Sequence, residues 1–235
     1  MWSFIVIILL SIHGIQAKSD AQLAKQAYQS AQLHNVDEAI QLYQEIEKKD
    51  AAVWYNLGML SFEQGLYPEA LLYWLRAQRQ ADAKHLPSVW HNLSLLKQKM
   101  TGQEEGIADW FSYWSLWVSK AYGIRLLQLS VLLLWLAFWF RHKMPKPVRT
   151  AVPFGLIVAL LLCVPIISAY RLHKERGVII KQEVQLYNGP NASFHTVETL
   201  QSGALVRVEQ HKEGWCQIAY NGLRGWLIAD DLALV

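Results

Sequence analysis

The sequence contains little from which a reaction centre could be built. It has two cysteines, Cys163 and Cys216. The first sits in a long apolar run and the second in a stretch of alternating residues, so no bridge between them and no disulfide framework is expected. No Cys/His spacing suits a bound metal. There is no phosphate-binding glycine loop, no G-x-S-x-G elbow and no H-E-x-x-H helix. His173 and His195 stand alone and read as solvated. Charge is also scarce: 17% of residues are charged and the net is +3. Residues 18–109 hold nine Lys and Arg against twelve Asp and Glu, which leaves no basic face for nucleic acid. These absences lead to the expectation of a protein that is not an enzyme, holds no cofactor and binds no nucleic acid.

Apolar and aromatic residues, by contrast, are plentiful: 53% of the chain is hydrophobic and eleven residues are Trp. Residues 2–15 form an apolar run, broken by Ser11, His13 and Gly14 and followed by Lys18-Ser19-Asp20. The pattern reads as a secretory signal over 1–17, cut after Ala17. An uncleaved anchor is the alternative, because the segment has no basic start and carries Ile15 where a small residue is usual. Residues 121–140 and 151–170 are each long enough to cross a bilayer as a helix, since twenty residues rise about 30 Å. The loop 141–150 carries Arg141, Lys143, Lys146 and Arg149 and is placed in the cytoplasm by the positive-inside rule. An exported start followed by two crossings puts both ends of the mature chain outside. Trp110, Trp114 and Trp117 recur at helical spacing over 110–120, which reads as an interfacial aromatic helix, with a groove for a partner helix as the alternative.

Between the leader and that stripe the chain repeats itself. Trp54-Tyr55-Asn56-Leu57-Gly58 returns imperfectly as Trp90-His91-Asn92-Leu93-Ser94, and Glu69-Ala70-Leu71-Leu72-Tyr73-Trp74 echoes Glu38-Ala39-Ile40-Gln41-Leu42-Tyr43. These segments resemble the tetratricopeptide repeat over 18–109. Small residues, Gly58 and Ala70, stand where two helices would cross closely, and Gly65 stands at the turn between them. Ser61 replaces the usual Tyr and no Pro closes the repeat. The resemblance implies a concave peptide-binding face. Lys25, Asn56 and Asn92 would hold equivalent positions on it, with Tyr28, Tyr55, Met59 and His91 nearby.

After Gly177 the period changes to alternation. Residues 184–187, 204–209, 215–220 and 225–228 read as short strands. Asn221-Gly222 marks a tight hairpin, and Asn188-Gly189-Pro190 marks another turn. The order L-Y-N-G-P, L-Q-S-G-A-L-V, G-W-C and N-G-L-R-G-W-L-I resembles the bacterial SH3 domain, with 171–235 comprising a linker and that domain. Asn188 stands where Arg is frequent. By alternation Cys216 and Ile218 share one face, and Trp215 and Gln217 the other. Tyr187 and Trp215 are expected to edge a ligand groove. Trp226 is read either as a third groove aromatic or as core, with core preferred.

The fold class expected is therefore a multidomain membrane protein: an all-α tetratricopeptide array, two transmembrane helices and an all-β SH3-like barrel. Leader, repeats, two spans and SH3 domain, in that order, resemble the BatE type of the aerotolerance-associated Bat proteins. That resemblance implies a bacterial inner-membrane location with the repeat and SH3 domains on the periplasmic side. It also implies an adaptor role with von Willebrand A-domain Bat proteins and, indirectly, a MoxR-class ATPase. The competing expectation is a cell-wall module that holds peptidoglycan and recruits a hydrolase.

Overall fold

A computed structural model describes residues 19–102, 113–118, isolated positions between 121 and 139, and 175–235. The chain forms two compact units. One comprises residues 1–80 together with 176–235, and the other residues 81–175.

Among the described residues the helical part of the first unit holds four helices: α1 (19–32), α2 (Val36–Glu45), α3 (Ala51–Glu63) and α4 (Tyr67–Gln80). A positive φ of 60° at His34 turns the chain between α1 and α2. Asp50 opens α3 by accepting a hydrogen bond from the Val53 N–H at 2.8 Å, which satisfies one of the donors a helix start leaves free. Ala27, Ala39, Tyr43, Ile46, Val53, Leu57 and Leu60 form one buried cluster, so α1, α2 and α3 share a core.

The α3–α4 turn is a Schellman closure. Gly65 takes φ 79°, the Leu66 N–H donates to Ser61 O at 2.9 Å, and the Gly65 N–H donates to Phe62 O at 3.0 Å. Because Gly58 has no side chain, the indole of Trp74 lies directly on the α3 backbone and its Nε1–H donates to Tyr55 O at 3.2 Å. Phe62 packs on Trp74 at 5.6 Å, and Ala70 is fully buried.

In the second unit α5 (Leu86–Thr101) starts with Pro87 in its first turn and ends at Gly102, whose left-handed φ of 68° lets its N–H reach Gln98 O. Ahead of it, Asp82 accepts hydrogen bonds from the His85 backbone N–H at 2.9 Å and from the His85 ring at 2.7 Å. Those bonds hold the carboxyl below its usual range. The helical residues 113–118 bury Ser115, Leu116 and Val118. Tyr113 packs on Trp90 at 5.2 Å, and the Trp117 indole donates to Ala83 O at 3.1 Å. Trp117 of the aromatic stripe thus packs within its unit, whereas Trp114 is 40% exposed. Trp110 lies outside the described residues.

Residues 176–235 form a seven-stranded antiparallel sheet in the order β3-β2-β6-β5-β4-β1-β7. The strands are β1 (Arg176–Ile179), β2 (Glu183–Tyr187), β3 (Thr196–Gln201), β4 (Leu205–Lys212), β5 (Trp215–Tyr220), β6 (Leu223–Ile228) and β7 (Leu232–Leu234). One face of this sheet buries Ile179, Val184, Leu186, Leu200, Val206, Ile218 and Leu227 in a cluster made of sheet residues alone. A single sheet can bury one face against itself only by curling into a barrel-like wrap. The β5–β6 hairpin turns on Asn221 and Gly222, at φ 47° and 85°, as a type I′ turn requires.

The expectation of a membrane protein with an inner-membrane location is corrected here. Among the described residues no helix is long and apolar enough to cross a membrane. The physical reason is length and polarity. Among the described residues α5 has 16 residues and carries Lys97, Gln98 and Lys99, whereas a span needs about 20 largely apolar residues. The segments read as spans, 151–170 and most of 121–140, lie outside the described residues, as do the signal 1–17 and the loop 141–150.

Candidate functional site

The outer face of the curled sheet carries Tyr187, Trp215 and Trp226. Along β5 burial alternates, with Cys216 and Ile218 buried and Trp215 and Gln217 half-buried. This follows from the two-residue period of a strand. Register then fixes the neighbours: Gln217 lies opposite Trp226, Trp215 opposite Ile228, and Trp226 opposite Tyr187 of β2. Cross-strand partners project from the same face, so Tyr187, Trp226 and Gln217 form a row with Trp215 beside it.

The preference for Trp226 as core is therefore corrected. Its neighbours Gly225 and Leu227 point inward and Trp226 points out, half-buried. Gly225 is needed beneath this row, because a Cβ there would come within 2.5 Å of Leu186 Cγ and 2.8 Å of Tyr187 O.

Tyr187 and Trp215, both expected at the groove, are in contact: their rings meet edge to face, 5.6 Å between centroids at 84°. That arrangement sets a ring edge against a ring face and holds both side chains in place. The Tyr187 hydroxyl donates to Gln185 Oε1 at 2.8 Å, which fixes the phenol further. Beyond Tyr187 the loop 188–195 closes on itself, with the Asn188 N–H donating to His195 O and the Ser193 N–H to Asn191 Oδ1. Phe194 folds against Gly189, where a Cβ would lie 2.8 Å from the ring, yet Phe194 remains 49% exposed. Sequence reasoning missed this aromatic. Its signal was the Gly-Pro turn that brings residue 194 back over residue 189.

On the opposite face, Glu198 of β3 pairs with the buried Leu186 and so points inward. Its Oε2 is enclosed and has no hydrogen-bond partner among the described residues. Among the described residues no group of three or more His, Cys, Asp or Glu side chains could hold a metal ion.

Residues 180–232 match the family model of the bacterial SH3 domain. The C-terminal sheet is a bacterial SH3 domain. Its aromatic face is thus presented by the central strands β2, β6 and β5 of that domain, with β3 and β7 at the sheet's two edges. Among curated proteins, none matches this chain.

The residues expected on a helical peptide-binding face are distributed as follows. Lys25 and Tyr28 are exposed on α1, and Tyr55, Asn56 and Met59 are half-buried on α3. The Asn56 amide donates to the Tyr43 hydroxyl at 2.9 Å, so one of its hydrogens ties α3 to α2. Burial is the main cause that pushes the Tyr43 phenol above its ordinary range. The Asn56 bond acts against that shift, and nearby Tyr28 adds to it. Asn92 and His91 lie on α5 in the second unit, half-buried and exposed respectively.

Another surface of the α3–α4 hairpin carries a stack of aromatic rings and a guanidinium. Trp54 and Tyr73 stack at 5.7 Å and 21°, and the Arg76 guanidinium sits 4.7 Å above the Trp54 ring. Lys49 approaches the same ring at 5.7 Å. Burial lowers the Arg76 pKa. Sequence reasoning placed Trp54 and Tyr73 in the repeat pattern but did not single out Lys49 or Arg76.

Proposed function

We propose that this protein is a non-catalytic binding adaptor whose SH3 domain takes up an extended peptide, from a protein or from the cell wall. The observation that supports this best is the row Tyr187–Trp226–Gln217, with Trp215 locked edge-on against Tyr187. Half-buried, mutually braced aromatics on a rigid sheet offer apolar contact at small entropic cost, which suits peptide backbones and short side chains. Their amphipathic rings lie beside Gln217, whose amide both donates and accepts hydrogen bonds.

The helices α1–α4 fit a second binding element of tetratricopeptide type. The Gly58–Trp74 crossing and the Schellman turn at Gly65 support that assignment. Lys25, Tyr55, Asn56 and Met59 are the residues proposed to meet a partner there, and Asn92 is proposed as a partner contact of the second unit. A finer reading makes the partners von Willebrand A-domain Bat proteins, with a MoxR-class ATPase acting indirectly. The order of helical repeats before an SH3 domain supports it, and co-purification with those proteins tests it.

The decisive experiment is a pull-down of the full chain on purified peptidoglycan sacculi and on an array of extended peptides, comparing the unaltered protein with Trp215→Ala. We expect Trp215→Ala to weaken capture at least about tenfold, the loss typical of one buried aromatic anchor, with the melting temperature retained. Undiminished capture by Trp215→Ala would remove the aromatic row from the binding surface.

A further inference from the structure

We infer that the Trp54–Tyr73–Arg76 shelf of the helical hairpin is the seat of the SH3 domain's own edge strand β7, so that hairpin and SH3 domain act as one interlocked module. β7 pairs with β1 alone and lies at one end of the sheet order. An edge strand leaves main-chain N–H and C=O groups pointing to open solvent, where they attract foreign strands unless covered. Here the Val235 N–H turns inward to Arg176 O at 2.9 Å. In an antiparallel ladder the next residue's polar groups then turn outward, and that residue is Leu234.

Arg76 meets the outward group. Its Nε and Nη2 both donate to Leu234 O, at 3.0 and 2.7 Å, while Arg79 Nη1 donates to Val235 O at 2.6 Å. The guanidinium is placed for this task from below. Trp54 supports its flat face and Tyr73 stacks on Trp54 in turn. A guanidinium held in that way loses little further freedom when its fork closes on an oxygen. The seat therefore recognises the extended strand by the outward carbonyl of Leu234, independently of side-chain sequence. That chemistry suits β7, a short strand of Leu, Ala and Leu. The seat also covers part of the β7 edge, so this stretch of the shelf is closed to any other strand while β7 is in place.

Amide hydrogen exchange on the full chain tests the inference, comparing the unaltered protein with Arg76→Ala and with Arg76→Met, which keeps the stem packed on Trp54 and removes only the fork. With the seat lost, exchange at residues 232–235 and at their partners in β1 should accelerate at least about tenfold, as expected when hydrogen bonds from a charged donor are removed. Arg76→Lys, with a single point charge in place of the fork, should fall between. Exchange at β7 unchanged in Arg76→Met, with helical content intact, would overturn the inference. So would acceleration spread evenly over the whole sheet, because the shelf would then support the general stability of the unit and not this strand.

Discussion

The indole of Trp74 occupies the space that a side chain at Gly58 would need: a Cβ built on Gly58 falls 2.4 Å from both Cδ1 and Nε1 of that ring. The contact is reinforced by the Trp74 Nε1–H bond to Tyr55 O, so the ring cannot retreat without losing a buried partner. Gly58→Ala should therefore destabilise the helical part by about 1–3 kcal/mol, and Gly58→Leu by more. Urea unfolding followed by far-ultraviolet circular dichroism measures this. Equal midpoints for Gly58→Ala and the unaltered chain would show that α4 can slide aside at no cost.

Tyr43 makes stability depend on alkaline pH. Its phenol is held above the ordinary value of 10.0, mainly by burial, so the folded state favours the neutral form. Stability from this source is fully present below the unfolded-state pKa and is lost as pH rises through the higher folded pKa. Thermal melts of the unaltered chain should thus fall off above about pH 10, and Tyr43→Phe should flatten that decline. A decline of equal steepness in Tyr43→Phe would assign it to other groups.

Asn56 is coupled to the same titration. Its bond to the Tyr43 hydroxyl opposes the upward shift, so Asn56→Ala should raise the Tyr43 pKa further. The substitution should also cost about 0.5–1.5 kcal/mol for the lost hydrogen bond. Spectrophotometric titration of tyrosine near 295 nm reads the first effect and chemical unfolding the second. Partner binding lost beyond what the stability change explains would give Asn56 a direct contact as well.

The β5–β6 turn offers a test free of side-chain crowding. Gly222 sits at φ 85° with nothing within 4 Å of a built Cβ, so Gly222→Ala introduces backbone strain alone. The expected cost is about 1–2 kcal/mol, with Gly222→Asn milder because Asn tolerates the left-handed region better. If Gly222→Ala melts like the unaltered chain, the turn has changed type.

The features legible in the sequence are those that local spacing encodes. Asn221-Gly222 announced its hairpin, and the alternation of Cys216 and Ile218 against Trp215 and Gln217 announced the two faces of β5. The glycines at 58 and 65 marked a helix crossing and a helix end. Trp226 was ambiguous because an apolar aromatic flanked by Gly225 and Leu227 fits either face until register with Tyr187 is known. Arg76 was invisible for a different reason. Its partners, Leu234 O and Val235 O, are main-chain atoms far along the chain, and no residue pattern records which carbonyls an edge strand turns outward. The membrane assignment came from hydropathy, loop charge, the aromatic stripe and the resemblance to Bat proteins, and among the described residues no helix has the length and apolarity to support it.

The sheet order places β1 between β4 and β7, so the first strand to be synthesised cannot complete its pairing until the last has appeared. At about 5–20 residues per second the ribosome takes seconds to deliver the intervening chain. Throughout that interval Gly177–Ile179 has only half of its ladder, and the Leu232 side chain that lies against Gly177 is not yet present. The nascent chain therefore spends those seconds with an open, apolar strand, the period when a chaperone has most to protect and when a neighbouring copy on the same messenger has most opportunity to pair wrongly.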